Sequence, residues 1–536
     1  VSRTGRGSGA LLGTRRLLVV ALHQDARRIA PWVVLISVLS ASSVLAYTWI
    51  FPDTEDRREL AGTIGANPAL ALVFGPARDL MSADGFNAWR AGMLGAFFAG
   101  LMAILVVVRN SRADEDSGQA ELVASGVLAR SSRLAVAVLV AVLASVALGV
   151  VCFALTVACG GGVAATLVLS ASFTASGLMF TGVAAITAQL GSDAHAASSL
   201  AIGVLGVCYV ARGYVDSTDA GGAATWLTPL GWLEQTRPAT GDDPRPLLLA
   251  LALAVVLVAV AFVLQARRDF GQGLLAQRPG PAGARLVGNV WGLALRLHAT
   301  ALLTWLIAFL ALGFVFGNLA TSIGEIAADS EAVADVFASG AAGSASLTSA
   351  FIATILQIVA IVAAVAGVQV VQRVYAEEVA YRVEPLLAGS LRRATYLASN
   401  TVVALLGSAM AMLVAGTTLA AVASARDDTV AFGDVVGQSG VTIPGTWVLV
   451  ALALAVVGAA PSRRLVGWLG VVATFGLTLL GPTFKLPGWA LDISPLRHVP
   501  DVTARSPDWS GLALLGGVVV VLLLVGFAGF RRRDVV

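Results

Sequence analysis

Cysteine, lysine, histidine and charge of either sign are scarce in this chain, and each scarcity excludes something. Cys152, Cys159 and Cys208 are its three cysteines. They lie in or beside apolar runs, with neither metal-ligand spacing nor a disulfide framework. The four histidines, His23, His195, His298 and His498, are scattered, as surface or interface residues are and a ligand set is not. Lys485 is the one lysine, while Ala, Val, Leu, Gly and Arg dominate, which reads as the composition of a GC-rich genome. Charged residues make up 12% of the chain and apolar ones 57%, whereas a soluble domain carries about 25% charged residues. The formal net charge of +3 is therefore no sign of a nucleic-acid partner. No GxxxxGKS/T loop, HExxH or Rossmann glycine pattern occurs, and no polar segment is long enough for a nucleotide-binding domain. The expectation is a chain that is not an enzyme and binds no cofactor or metal. If ATP drives it, another protein holds the ATP and its magnesium.

What is present is a series of apolar runs. Mean hydropathy is +0.84, and the runs are roughly 20 residues long, enough to cross about 30 Å of hydrocarbon at about 1.5 Å per residue. Strands of an outer-membrane barrel are about ten residues long and alternate in polarity, and these runs do not alternate. The fold class is an all-α polytopic membrane protein with about 12 spans. We place them at about 31–50, 89–108, 134–158, 162–187, 197–213 and 246–266, then 298–318, 347–371, 399–422, 443–459, 463–480 and 510–530. Only Cys159, Gly160 and Gly161 separate the third from the fourth, which calls for a tight turn. The first run, Pro31 to Ile50, is long enough to remain as an anchor. Before it, Leu11 to Ile29 interleaves apolar and basic groups at helical spacing, as a helix lying in the headgroup layer does. With the N-terminus inside, 24 of the 35 Lys and Arg fall in cytoplasmic segments. That excess places both termini in the cytoplasm of a bacterial plasma-membrane protein.

Two charged blocks interrupt the apolar pattern at corresponding places. The first, Arg109 to Arg133, reads RNSRADEDSGQAELVASGVLARSSR, and the second, Gln372 to Tyr396, reads QRVYAEEVAYRVEPLLAGSLRRATY. A shift of 263 residues puts Asp114 on Glu377, Glu115 on Glu378, Glu121 on Glu384, Leu128 on Leu391 and Arg130 on Arg393. Pro229, in WLTPLGWLEQTRP, and Pro495, in GWALDISPLRHVP, lie 266 apart. Both Trp- and Pro-containing segments suit re-entrant or interfacial turns. The chain therefore reads as two divergent copies of a six-span unit, related as parallel repeats. The expected division is 1–30, an N-terminal amphipathic segment; 31–266, the first half; 267–297, a cytoplasmic linker and surface helix broken by Pro279 to Gly283; and 298–536, the second half.

At 3.6 residues per turn, Asp114, Gly118 and Glu121 share a helix face, as do Glu377, Tyr381 and Glu384. Acids at the start and Arg130 or Arg393 at the end suit the helix dipole. A short amphipathic elbow of this kind fits a partner's groove, its acids meeting partner Arg or Lys and Leu122 or Leu386 filling a pocket. The bland alternative is a solvated loop with topogenic arginines, and recurrence of the block weighs against it. Charge within the spans is sparse, so no buried acid marks an ion-coupled carrier. Candidate pathway residues are Phe173, Phe180, Thr181, Trp305, Phe351 and Gln357, a lining suited to amphipathic or lipophilic cargo. Glycines within spans more often permit close helix packing.

A span followed by an acidic elbow ending in E-L or E-P-L, then a turn with Arg, resembles the two-domain ABC-2-type permeases of actinobacteria, the tetronasin-like or polyketide-antibiotic exporters. WLTPLGW, Trp226 to Trp232, is similar to a segment of the same family, and the likeness covers essentially the whole chain. The resemblance implies a type V exporter-like permease that exports drugs or polyketide-type antibiotics. It implies two copies of a separately encoded ABC ATPase and a coupling helix at each elbow. Asp114, Glu115, Glu121 and Arg130 would serve one ATPase, and Glu377, Glu378, Glu384 and Arg393 the other. The second copy departs from the first, with Val379 for Asp116, Tyr381 for Gly118 and Pro385 for Leu122, so the two docking sites are expected to differ. The alternatives are an ion-coupled secondary transporter and a non-transport polytopic protein of envelope lipids.

Overall fold

The computed structural model describes residues 14–65, 71, 73–116, 130–217, 222–268, 273–275, 288–329, 344–480, 487–502 and 508–534. The chain divides into two compact units, Val1–Pro279 and Gly280–Val536. Among the described residues each is built of helices, and eleven helices are long and apolar enough to cross a membrane. The chain is an all-α polytopic membrane protein.

In the first unit the long helices are α1 (Thr14–Ile50), α3 (Ala83–Val108), α4 (Arg130–Ala158), α5 (Val163–Leu190), α6 (Ala194–Ser217) and α8 (Arg245–Arg267), with the shorter α2 (Thr54–Gly65) and α7 (Pro229–Glu234). Helix α5 is central, packing against α3, α4 and α8, while α1 packs on α3 and α4. Apolar surface gains little from burial among lipid tails, so small residues and polar contacts hold such bundles. Ser40 links three helices: the Asn87 amide donates to its Oγ at 3.0 Å and the Thr156 hydroxyl at 2.9 Å. The turn expected after the third span is there. Helix α4 ends at Ala158, and Gly160 takes φ +99°, a conformation open to glycine. Asp84 then caps α5, both carboxylate oxygens accepting from the Gly162 N–H at 2.8 and 3.0 Å.

The second unit contains α9 (Val290–Asp329), α10 (Ser344–Val379), α11 (Glu384–Leu387), α12 (Arg393–Ser424), α13 (Phe432–Ala459), α14 (Leu465–Phe475) and α15 (Ser510–Arg532). Helix α13 packs against α10, α12 and α15, and α9 lies along α12. Close approach is achieved at Gly458 of α13 and Gly526 of α15, where a Cβ on Gly458 would stand 2.2 Å from the Gly526 carbonyl oxygen.

Three features differ from the sequence reading. The amphipathic segment before Pro31 and the first span form one helix of 37 residues with Pro31 inside it. An interior proline removes one backbone hydrogen bond, which packing of the flanking turns against α3 and α4 offsets. The run at 463–480 is not one uninterrupted α-helix: among the described residues α14 has eleven residues and passes into five of π-helix from Gly476 to Leu480. Helix α10 stops at Val379, so Glu377, Tyr381 and Glu384 do not share one helix face. There the Tyr381 N–H donates to Glu378 O at 2.9 Å and the Arg382 N–H to Glu377 O at 3.1 Å. With Tyr381 at φ +56°, this is a Schellman helix stop, built without the usual glycine.

Candidate functional site

The charged blocks fold at one end of each unit. In the first, α3 runs through a π-turn, Arg109–Ala113, into Asp114–Asp116. Glu115 therefore reaches the end of the bundle, where arginines from three places converge on it. Arg112 donates at 2.8 Å, Arg268 at 2.6 and 2.5 Å, and Arg133 stands at 3.6 Å. Arg112 is fully buried and also donates to the Ser192 carbonyl at 2.5 Å. Arg268 follows α8, and its second amino group donates to the Ala188 carbonyl, near the end of α5, at 3.1 Å. Asp116 accepts from the Ala194 N–H at the start of α6 at 2.6 Å. Asp25 of α1, buried, pairs with Arg109 at 2.9 Å.

The second unit repeats the core of this arrangement. Arg533, just past α15, donates through Nη2 to both oxygens of Glu378 at 2.8 and 2.7 Å and through Nε to the Gly458 carbonyl at 3.0 Å. Arg393, at the start of α12, donates to the Arg533 carbonyl at 2.8 Å. Phe530 lies beneath the Arg533 guanidinium, and Tyr396 stacks on Phe530. Glu378 is 3% exposed. Glu377 faces Arg373 and Arg382 at 3.3 and 3.4 Å. Glu384 opens α11, exposed together with Pro385 and Leu386.

The expected coupling residues thus fall into two groups. Glu115 and Glu378 are turned inward to arginines of their own unit, while Glu384 and Arg393 lie on the surface and Asp114 is half-buried. Glu121 lies outside the described residues, as does the side chain of Arg130. Sequence reasoning missed Arg268 and Arg533. The signal was present, because Arg267-Arg268-Asp269 and Arg532-Arg533-Asp534 end the two halves in the same letters.

Of the expected pathway residues, Phe173, Phe180 and Thr181 are buried inside the first unit. The rings of Phe173 and Phe180 fill the notches left by Gly95 and Gly100 of α3, and the Thr181 hydroxyl donates back to the Gly177 carbonyl at 2.7 Å. In this structure all three are packing residues. Trp305 and Phe351 pack, half-buried, against the core of the second unit, where the Trp305 indole N–H donates to Gln369 at 3.1 Å. Gln357 is half-buried.

A second polar cluster occupies the opposite end of the first unit, on the Trp226 to Pro238 segment. The Thr228 hydroxyl caps α7, which brings Glu234 beneath Arg78 at 2.7 Å. Arg212 of α6, fully buried, pairs with Asp216 at 2.9 Å beside it. A cavity of about 50 Å³ lies against this cluster, lined among others by Phe74, Trp89, Met93 and Glu234. Burial and the neighbouring Asp216 push the Glu234 carboxyl up to about 7, against the opposing pull of Arg78 and Arg212.

Comparison with known proteins bears directly on this geometry. The sequence model described as "Multidrug efflux system permease Rv1217c, C-terminal domain" matches residues 33–264 and 287–531. The chain belongs to this family of multidrug efflux system permeases. The permease is also 36% identical over 544 residues to the Multidrug efflux system permease protein Rv1217c of Mycobacterium tuberculosis, across 99% of this chain and 96% of that one. The resemblance to ABC-2-type exporter permeases, drawn from the elbows and the WLTPLGW segment, is borne out for this permease.

Proposed function

We propose that the chain is the transmembrane permease subunit of an ATP-driven ABC exporter for amphipathic or hydrophobic compounds, and that it works with two copies of a separate ATPase. Full-length likeness to a multidrug efflux permease carries this reading. The two halves act as six-span parallel repeats, 31–266 and 298–536, with 1–30 and 267–297 on the cytoplasmic side together with both termini. Support for the repeat comes from one family model matching two segments and from Arg–Glu contacts of the same design in both units. On this reading 463–480 supplies the twelfth span.

The elbows face the cytoplasm and take the ATPases. Glu384 and Leu386, exposed on α11, offer an acid and an apolar knob to one ATPase, with Glu377 and Arg393 at the rim. Asp114, Glu121 and Arg130 serve the other. Glu115 and Glu378, paired with arginines of their own unit, hold the elbows instead of touching the partner. The permease then supplies the path and the partner the hydrolysis, and closing of the ATPase dimer moves the elbows and rocks the halves. The test is co-purification with the ATPase, followed by ATP-driven accumulation of ethidium in inverted vesicles. Charge reversal at Glu384 should weaken attachment, and ATP hydrolysis by the purified permease alone would overturn the division of roles.

A further inference from the structure

The last span of each unit lies at the edge of its bundle. Within the apolar windows of α8 and α15 only 17% of residues are buried, against 67% in α5 and 56% in α13. Each packs mainly on one neighbour, α8 on α5 and α15 on α13. Each ends in an arginine that reaches across the bundle to a carboxylate of the elbow block. In the first unit Arg268 spans 153 residues of sequence to Glu115, and in the second Arg533 spans 155 to Glu378.

The contacts agree in detail. One guanidinium nitrogen, Nη2, bridges both carboxylate oxygens, and a second nitrogen of the same group donates to a carbonyl near the end of the fourth long helix, Ala188 or Gly458. The start of the helix after the elbow is held there as well, by Arg133 on Glu115 and by Arg393 on the Arg533 carbonyl. One Arg–carboxylate contact therefore pins four helix ends: the two that flank the elbow, the fourth long helix and the last one. A buried ion pair is seldom the most stable choice for its volume, since an apolar replacement costs no charge desolvation. Its best attested use is to fix which surfaces stay in register. Here it occurs twice, in copies whose elbows otherwise diverge.

We propose that Arg268–Glu115 and Arg533–Glu378 are coupling clamps: positioning residues that make the last span of each half move with its elbow when the partner ATPase binds ATP. This rests on the permease reading above. Displacement of an elbow is then carried across the bundle to a span that otherwise packs mainly on one neighbouring helix. The guanidinium is needed because it meets carboxylate and carbonyl together from one rigid plane, which a lysine ammonium does not do.

The test uses the full permease–ATPase complex in lipid nanodiscs, read by hydrogen exchange with and without ATP and vanadate. In the native complex, peptides covering the elbow at 380–392 and the chain end at 526–534 should change protection together. In Arg533→Gln the elbow response should persist while the response at 526–534 falls at least threefold, and Arg268→Gln should act likewise on the end of α8. Arg533→Lys and Arg268→Lys keep the charge and guard against misfolding, and should show the same split in weaker form. An unchanged response of the last span in both the Gln and Lys variants overturns the clamp. Failure of the native complex to form, or the absence of any ATP response at its elbows, overturns the permease reading and the clamp with it.

Discussion

Arg268 lays one guanidinium nitrogen between the two carboxylate oxygens of Glu115, and Arg533 does the same to Glu378, but the acids differ in what else they have. Glu115 also meets Arg112 and Arg133, whereas Arg533 is the one ion-pair partner of Glu378 among the described residues. Removing one member of a buried pair and leaving the other charged costs roughly 3–5 kcal/mol. Arg533→Ala should reach that range. Arg268→Ala leaves Glu115 with two cations and should cost on the order of 1–2 kcal/mol, nearer the value of one charge-assisted hydrogen bond. Thermal unfolding in detergent should therefore rank Arg533→Ala well below Arg268→Ala, and the reverse order would show that the extra arginines do not compensate.

Tyr381 holds a left-handed backbone angle that suits glycine, at the stop of α10. Its side chain is 63% exposed, so little packing is lost with it. Relief of the left-handed strain is worth roughly 1–2 kcal/mol. Glycine's greater freedom in the unfolded chain takes back about 0.5–1 kcal/mol. Tyr381→Gly should leave stability unchanged or slightly raised, while Tyr381→Val, branched at Cβ, should lower it by at least 1 kcal/mol. The pair of melts separates strain at the elbow from loss of the ring.

Legibility in the sequence followed the range of the interactions. Spans were plain because an apolar run of 20 residues carries its own signal, and the turn at Gly160 was plain because only three residues separate two runs. The helix face shared by Glu377, Tyr381 and Glu384 was wrong because periodicity cannot see a stop, and Tyr381 gives no glycine to mark one. Phe173 and Phe180 read as cargo-facing aromatics, since nothing local reveals that Gly95 and Gly100 make room for them. The clamps were hidden by distance: Arg533 looked like one more orienting cation at a helix end. Only its pairing with Glu378, fixed by the fold, gives it a second role.

Gly458 and Gly526 let α13 and α15 touch backbone to backbone beside the second clamp. A Cβ at 458 would stand 2.2 Å from the Gly526 oxygen and 2.9 Å from its Cα, and a Cβ at 526 would stand 2.9 Å from the Leu454 oxygen. Backbone cannot rotate aside, so Gly458→Ala should force the helices apart at a cost of about 1–3 kcal/mol, with Gly526→Ala milder. Gly516, on the same α15, has open space around it, and Gly516→Ala should be neutral or stabilise by up to about 1 kcal/mol. Opposite signs within one helix, read by thermal melts, distinguish close approach from helix propensity.

Glu234 makes the stability of the first unit depend on pH. Its carboxyl is raised from 4.5 to about 7 by burial and by Asp216, with Arg78 and Arg212 opposing. Between these values the folded chain holds a proton that the unfolded chain has released. Stability therefore falls as pH rises through the window from about 4.5 to about 7 and levels off above it. Most buried carboxylates with cation partners slope the other way, so the sign is diagnostic. Glu234→Gln, neutral at every pH, should flatten this slope and leave the permease relatively more stable near pH 8. Arg78→Ala removes a cation that favours the charged form and should shift the window upward. Melting temperatures in detergent from about pH 5 to about pH 8.5 measure both effects. If wild type and Glu234→Gln lose stability in parallel across that range, the proton resides elsewhere.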